Sequence, residues 1–249
     1  AYGWRFQSLP QAAIYFLDDV AAPKSGQTIV VFAPHPDDET IAAGGFIALG
    51  IKGGARVWVV LVTNGNKHGI GARRDHEFHD ALQILGQPRE NRLFLNHPDG
   101  QLAKQDRRAL RREFESILAQ TRPQIILAPH PDDKHPDHAV TGALVESLCQ
   151  QRSIALYQYL VHYPRFPLPK KFAPRLCVLP PVRLVSFDKE WRRVMLPAEV
   201  EALKKQAVQR YRSQLRVPVL RSLLLGMVRR NELLAVPEGV AGQVQAKMQ

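Results

Sequence analysis

The chain repeats one hexapeptide, Ala-Pro-His-Pro-Asp-Asp, at residues 33–38 and again at residues 128–133. Each copy directly follows a short apolar run, residues 28–32 and residues 125–127, which is rich in β-branched side chains and shows no polar alternation. Such runs are typical of strands that are buried on both faces of a parallel sheet. We therefore predict that both hexapeptides lie on loops at the carboxyl ends of strands.

Apolar runs suited to strands recur along the chain, and amphipathic stretches separate them. The predicted strands cover residues 28–32, 57–62, 93–95, 125–127 and 154–157. The predicted helices cover residues 39–50, 73–85, 106–120 and 137–150. This alternation predicts an α/β fold with a mainly parallel sheet and helices on both of its faces.

A doubly wound sheet of strand order 3-2-1-4-5 would place the first and fourth predicted strands side by side, where such sheets open a crevice. Both hexapeptides follow those two strands. We therefore expect them to meet in one pocket, although they lie 95 positions apart (128 minus 33). At 249 residues, the chain is long enough to bury a full core. We expect a single domain over residues 1–249, with a core of about 27–162 and a C-terminal extension of about 163–249.

The extension has a weaker pattern than the core. A proline-rich stretch at residues 164–181 predicts a surface loop that runs past the crevice. A strand at residues 183–187 and a helix at residues 198–212 are predicted to follow it. The tail from Val217 places leucines among arginines, as in an amphipathic helix. Such a helix either lies on a membrane or packs on its own domain, and the residues leave both open.

Charge and cysteine content limit the partners and the kind of metal site. The formal net charge of +11 favours an anionic partner such as a membrane surface, but it also fits a solvated basic surface. No zinc finger or RNP-type run is present, so we expect no nucleic-acid partner. With only two cysteines, Cys149 and Cys177, any metal must be held by histidine and carboxylate.

Compartment and assembly are less constrained. No apolar stretch reaches the roughly 18 residues of a membrane-spanning helix. We expect a cytoplasmic or membrane-associated protein, and an exported or anchored form stays open because the chain begins with Ala1 rather than Met. The sequence does not set the oligomeric state.

The first hexapeptide collects His35, Asp37 and Asp38 at the end of the first predicted strand. Imidazole and carboxylate ligands favour zinc (Zn²⁺), and iron, cobalt or manganese fit the same chemistry. His35 and Asp38 would supply two ligands, and the second loop offers several candidates for a third. If His138 coordinates, His135 is left beside the substrate. Asp37 would then be free to take a proton from water.

The alternative interpretation is that these acids only cap helices. Asp37 or Asp38 would suit an N-cap position before the first predicted helix, and Asp137 would do so before the fourth. Capping accounts for one acid in each loop. It does not account for two adjacent acids with a histidine in both loops, so we favour metal chemistry.

Two motifs carry a resemblance to a known family. Pro-His-Pro-Asp-Asp-Glu at residues 34–39 and His-Pro-Asp-His at residues 135–138 resemble the motifs of the PIG-L or LmbE-like family of zinc-dependent de-N-acetylases. The similarity extends from about residue 28 to residue 161. It implies a Rossmann-like fold and an enzyme that removes the N-acetyl group from an N-acetylglucosamine-type amino sugar. The expected substrate is a small molecule, a glycan or a glycolipid.

The resemblance also implies roles for individual residues. The implied metal ligands are His35, Asp38 and His138. Asp37 would be the general base, and His135 would stabilise the tetrahedral oxyanion. Asp137 would orient a histidine of its own motif.

Substrate contacts follow less directly. Arg74, or Arg73 one position earlier, and Asp99 resemble family elements that lie near the sugar. Asn64 and His162 follow predicted strands and would face the crevice. Asn64 would equally suit a plain turn, and nothing in the spacing requires His162 to act, so both interpretations stay open for these two.

The second hexapeptide departs from the family pattern. The resemblance places metal binding after it, at His135 to His138, rather than within it. Asp132 or Asp133 would then hold a ligand histidine through its other nitrogen. A second metal at His130 is the alternative.

Other functions remain compatible with the same residues. A metal hydrolase could cleave another amide or a phosphoester, because an activated water does not choose its electrophile. The positive charge would also suit a basic anion-binding module without catalysis.

Overall fold

The computed structural model describes residues 8–185 and 189–237. Within them, the strands are β1 (Asp18–Asp19), β2 (Thr28–Ala33), β3 (Arg56–Thr63), β4 (Arg92–His97), β5 (Ile125–Pro129), β6 (Ala155–Tyr159), β7 (Lys189–Met195) and β8 (Asn231–Pro237). The α-helices are α1 (Asp38–Lys52), α2 (Gly71–Ile84), α3 (Arg107–Thr121), α4 (Pro136–Arg152), α5 (Ala198–Val208), α6 (Arg212–Leu215) and α7 (Pro218–Gly226). Short 3₁₀ helices lie at Gln11–Phe16, Arg89–Asn91, Leu102–Lys104 and Val182–Leu184.

All these strands form one sheet, in the order β1-β7-β8-β6-β5-β2-β3-β4. Its five-strand core, β4-β3-β2-β5-β6, is parallel throughout. This is the predicted order 3-2-1-4-5, and the prediction is confirmed. The strands β2 and β5 are direct neighbours, with Ile29 opposite Ile125 and Val31 opposite Leu127.

The strands β2 and β5 could be predicted from the sequence because they are almost completely buried. Every residue of β5 is buried, and so is every residue of β2 except Thr28. After β4 the strand order reverses. The helices that follow therefore pack on the opposite face of the sheet, as in other doubly wound folds. A close contact then fixes α4 against the end of β5. A Cβ atom on Gly142 would lie 2.3 Å from the carbonyl oxygen of Pro129, so only glycine allows this approach.

The C-terminal extension widens the sheet. The strand β8 pairs antiparallel with β6 and with β7, and β7 pairs parallel with β1. The predicted strand at residues 183–187 is wrong for its first residues, because Val182–Leu184 form a 3₁₀ turn. Ser186 and Phe187 lie outside the described residues. The strand begins at Lys189 instead, and the turn is held by the Trp191 indole, which donates to the Leu184 carbonyl at 2.8 Å.

The rest of the extension also differs in detail from its prediction. The helix predicted at residues 198–212 divides into α5 and α6. The proline-rich residues 164–181 contain no helix or strand, as predicted. In the tail, Leu223, Leu224 and Val228 are buried, so α7 packs on its own domain rather than lying free. No helix in the described ranges has the length and apolar character needed to span a membrane.

Candidate functional site

Three side chains converge where β2 and β5 end. His35 follows β2, Asp38 opens α1, and His138 lies in the first turn of α4. The Oδ2 atom of Asp38 lies 3.2 Å from His35 Nδ1 and 3.0 Å from His138 Nε2. The two nitrogen atoms are 3.3 Å apart. All three residues are buried, at 5%, 1% and 0% exposure.

This triangle has the dimensions of a metal site. With zinc bonds of 2.0–2.2 Å and tetrahedral angles, ligand atoms should lie about 3.3 Å apart. The three observed separations, 3.0, 3.2 and 3.3 Å, agree with that spacing. The cluster can therefore hold a metal ion through three protein ligands, with a coordination position left for a further ligand.

The remaining nitrogen of each histidine faces a carboxylate. His35 Nε2 lies 3.0 Å from Asp137 Oδ2, and His138 Nδ1 lies 3.4 Å from Asp133 Oδ2. Carboxylates in these positions fix the orientation of metal-binding imidazoles and raise their basicity. Asp137 contacts the histidine of its own motif, His135, through its backbone amide at 3.2 Å, whereas its carboxylate contacts His35 of the first motif. Backbone amides of Gly100 and Leu102 donate to Asp137 at 2.7 and 3.0 Å and hold it there.

The histidines and carboxylates of the site shift one another's pKa values. Burial alone would lower the pKa of His138, but the carboxylates of Asp38 and Asp133 outweigh burial and raise it to about 10. Burial alone would raise the pKa of Asp38, but His138 and His35 hold it well below its usual range. The donor set thus favours a positive charge at its centre.

Asp37 stands beside the triangle in a strained backbone conformation, with φ of 132°. Its side chain makes no cap hydrogen bond to α1, so the capping interpretation fails for this residue. Arg74 fixes the loop by donating to the Pro36 carbonyl at 2.9 Å, and it lies 3.5 Å from the Asp37 carboxylate. Burial raises the pKa of Asp37 to about 7, while the Arg74 guanidinium opposes the shift. A carboxyl with that pKa is suited to accept a proton near neutral pH.

Tyr211, which lies between α5 and α6, supports this loop from the extension. Its hydroxyl donates to the buried Glu39 carboxylate, which also accepts from Thr40 Oγ1 at 2.6 Å. The other Glu39 oxygen accepts from the Asp37 amide at 3.3 Å. Sequence reasoning missed Tyr211, because a single tyrosine outside any motif carries no signal of this long-range contact.

His135 is the N-cap residue of α4, which excludes Asp137 from the capping role considered above. Its Nδ1 atom accepts from the Asp137 amide at 3.2 Å, so a neutral ring carries its proton on Nε2. Burial, followed by the neighbouring His35 and His138, lowers the pKa of His135 to about 4. His135 is therefore a neutral donor beside the triangle, 4.5 Å from the His35 ring between ring centroids.

His162 also lies at the site, which its sequence position left open. Its ring centroid is 4.8 Å from that of His138 and 5.3 Å from that of His135. Burial and the neighbouring His138 lower the pKa of His162 to about 4. The structure thus places a second neutral imidazole beside the metal-binding atoms.

Comparison with known proteins agrees with this geometry. Residues 30–149 match the PIG-L family, described as GlcNAc-PI de-N-acetylase. These 120 residues, just under half of the chain, are thus similar to that family. Diacetylchitobiose deacetylase of Thermococcus kodakarensis is 30% identical over 128 residues, which cover 47% of this chain and 46% of that protein. The 1D-myo-inositol 2-acetamido-2-deoxy-alpha-D-glucopyranoside deacetylase of Corynebacterium glutamicum is 28% identical over 146 residues, covering 46% and 50%. The chain spans about half the length of these curated relatives.

Solved structures share the fold of both the core and the extension. N,N'-diacetylchitobiose deacetylase from Pyrococcus horikoshii superposes with a TM-score of 0.62 at 22% identity, covering 86% of this chain and 85% of that one. A conserved protein from Thermus thermophilus gives a TM-score of 0.57 at 26% identity, with coverage of 76% and 81%. The Rossmann-like α/β architecture is thus shared well beyond residues 30–149.

Two residues that were predicted to contact the substrate, Arg74 and Asp99, form hydrogen bonds within the protein. Arg74 is buried at the site, whereas Arg73 is exposed. Arg74 Nη1 donates to Asp99 Oδ2 and to the Gly65 carbonyl, both at 3.2 Å. The other Asp99 oxygen lies 3.4 Å from His35 Nε2. Arg74 and Asp99 therefore lie at the site, where they bind each other and the loops around the triangle.

Asn64 forms a turn. Its side-chain oxygen accepts from the Asn66 amide at 3.0 Å, and Gly65 between them has a positive φ of 61°. The structure thus shows the turn, and the substrate contact of Asn64 stays a prediction.

The second hexapeptide contributes one side chain to the site. His130 is fully buried and stacks on Trp191, with ring centroids 5.8 Å apart. Asp132 is exposed, whereas Asp133 is buried and faces His138. Of the two acids proposed from sequence, Asp133 is therefore the one that faces His138. Among the described residues, no group with metal-ligand spacing includes His130 or Asp132, so nothing supports a second metal there.

Proposed function

We propose that the chain is a zinc-dependent hydrolase that removes the acetyl group from an N-acetylglucosamine-type amino sugar in a small molecule, glycan or glycolipid. The observation that carries this proposal is the triangle formed by donor atoms of His35, Asp38 and His138. Asp37 lies next to this triangle but is not one of its corners. The PIG-L match and the deacetylase names of the curated relatives support the choice of an acetylated sugar.

Zinc is the proposed ion because two imidazoles and one carboxylate form a frequent catalytic zinc set. Iron, cobalt and manganese accept the same ligand types. A bound divalent ion supplies Lewis acidity that polarises an amide carbonyl and acidifies water. His35, Asp38 and His138 would hold it.

Asp37 and His135 are the proposed catalytic residues. Asp37, with its pKa near 7, takes a proton from the attacking water and later delivers it to the leaving nitrogen. His135 presents its Nε2 proton to the oxygen that becomes negative when the carbonyl is attacked. Asp137 positions His35 and, through its amide, His135. Arg74, Asp99 and His162 are proposed to line the sugar site.

Acetate release from purified protein tests the proposal. The substrates are N-acetylglucosamine, N,N'-diacetylchitobiose and an alkyl N-acetylglucosaminide, and phosphate release from matched phosphoesters is measured in parallel. We expect acetate release that is lost on chelation and restored by zinc. Acetate release by Asp37→Asn at the parental rate, or phosphate release without acetate release, would contradict the proposal.

We also propose that the core and the extension form one domain, as predicted from sequence. The support is the continuous sheet, in which β8 of the extension pairs with β6 of the core. Tyr211 of the extension also contacts Glu39, the residue directly after the first hexapeptide. Trp191 of the extension stacks on His130 of the second hexapeptide.

A further inference from the structure

A groove with a cavity volume of about 940 Å³ lies beside the candidate site. Its walls come from residues 8–11 and from the proline-rich segment and its flanks. It begins close to the catalytic loops, because Lys134 and Tyr163 line it and are the chain neighbours of His135 and His162. The Lys134 amide also donates to the His162 carbonyl at 2.7 Å, which joins the two loops. None of the proposed ligands or catalytic residues lines this groove.

The groove has an unbalanced charge. Lys134, Arg165 and Arg183 line it, and all three are exposed. No acidic residue appears among its described lining residues, and none of these cations forms a salt bridge within residues 8–185 and 189–237. The Lys134 ammonium instead lies 5.4 Å from the centre of the Tyr163 ring. Unpaired cations that share a concave surface concentrate an anionic ligand there.

Apolar side chains also line the same groove. Phe166, Leu168 and Leu179 line it together with several prolines. Leu168 is 41% exposed and so offers apolar surface to a ligand in the groove. Because prolines restrict the backbone, the cavity is largely formed before any ligand binds.

From this combination we propose that the groove is a binding site for one amphiphilic anion. The phosphate or carboxylate head group binds the guanidinium groups of Arg165 and Arg183, which suit these anions through paired N–H donors. The apolar part lies along Leu168 and the prolines of the lining. A simple anion would leave the apolar side chains of the groove without a partner. A neutral amphiphile would leave its arginines without one.

Calorimetry on the full chain tests this site without requiring turnover, so its result is independent of the proposed deacetylation. The probes are octyl phosphate below its micellar concentration, inorganic phosphate, and octyl maltoside as a neutral amphiphile. We expect octyl phosphate to bind about tenfold more tightly than either of the others, and to weaken as salt is raised.

The variant that removes the site is Arg165→Gln with Arg183→Gln. We expect it to weaken octyl phosphate binding by about tenfold or more, because both head-group contacts are lost. A matched control is Arg107→Gln with Arg108→Gln, which removes the same charge from exposed positions on α3. Binding by the control should stay within about twofold of the parent, since a distant exposed charge is screened.

Two results would overturn the proposal. One is equal weakening in both double variants, which would indicate nonspecific attraction to net charge. The other is binding to vesicles of phosphatidylcholine and phosphatidylglycerol without binding of monomeric octyl phosphate, which would indicate a membrane-docking surface rather than a site for one molecule.

Discussion

The two copies of Ala-Pro-His-Pro-Asp-Asp have the same sequence and different roles. In the first copy, His35 and Asp38 contribute two corners of the triangle that we propose as the metal site. In the second, the equivalent His130 stacks on Trp191. The equivalent of Asp38 is Asp133, which faces Nδ1 of His138, on the side of the ring away from the triangle. Identical residues at equivalent strand ends therefore do not have equivalent chemistry.

The difference arises from where the next helix begins. The helix α1 starts within the first copy, at Asp38, so that carboxylate is fixed at the helix N-terminus facing the crevice. The helix α4 starts only at Pro136, after two further residues. Asp133 therefore stays in the loop, where its oxygens accept from the amides of His135, Val161 and His162 at 2.9–3.0 Å. The backbone that follows a motif decides what its side chains can reach.

Replacing the two equivalent acids in turn should give the largest contrast. We expect Asp38→Ala to remove bound metal completely, because it deletes one of three ligands. Asp133→Ala should retain one metal per chain when the metal is supplied in excess. Metal content by elemental analysis checks both, and equal loss in the two variants would mean that the copies are equivalent after all.

The next pair compares Asp37 with its equivalent, Asp132. Asp37→Asn should lower turnover by about 10²–10⁴, the usual contribution of a general base. Its metal content should not change, because Asp37 lies outside the triangle. Asp132→Asn should match the parent within about twofold, since its side chain is half exposed and an exposed polar change has little effect. Steady-state acetate release measures both, and a comparable fall in Asp132→Asn would contradict the unequal roles.

Asp133→Asn should have an intermediate effect. The carboxylate lies 3.4 Å from His138 Nδ1, and removing its charge weakens the hold on a ligand. Loss of such a partner typically lowers metal affinity about 10–100-fold. Competition with a chromophoric chelator gives the affinity. An unchanged affinity would show that backbone contacts are the only role of Asp133.

The smallest expected effect concerns the support that the extension gives to the first copy. Tyr211→Phe keeps the ring and removes the hydroxyl that binds Glu39, whose other oxygen holds the Asp37 amide. We expect kcat to fall by about tenfold through misplacement of the base, with KM and metal content unchanged. The free energy of unfolding should fall by about 1 kcal/mol.

Tyr157→Phe is the matched control for that variant. Tyr157 is also a buried tyrosine, but its hydroxyl binds Arg192 rather than a site residue. We expect a similar loss of stability with normal kcat. A normal kcat in Tyr211→Phe as well would mean that its hydroxyl only stabilises the fold.

Local patterns made the core of this fold predictable. Unalternating runs marked β2 and β5, and the doubly wound order then brought the two loops together. The strand β7 was misplaced because its sequence, Lys-Glu-Trp-Arg-Arg-Val-Met, is mostly charged and lacks the apolar run of the core strands. It pairs between β1 and β8, where burial is less complete and sequence patterning is correspondingly weak.

Within the site, the sequence could name candidate ligands but not their partners. The three predicted ligands lie in motifs, whereas the Asp137–His35 contact joins residues 102 positions apart. Tyr211 is 172 positions from Glu39. Such pairs follow from how loops and helices pack, and a single sequence contains no local signal for them.

A crystal structure of the metal-loaded protein, with anomalous data collected at the metal edge, would test the central claim most directly. We expect one strong peak about 2.0–2.2 Å from His35 Nδ1, Asp38 Oδ2 and His138 Nε2. A peak among His35, Asp99 and Asp137, or beside His130 and Asp132 of the second hexapeptide, would contradict the assignment of the metal to the first copy and His138.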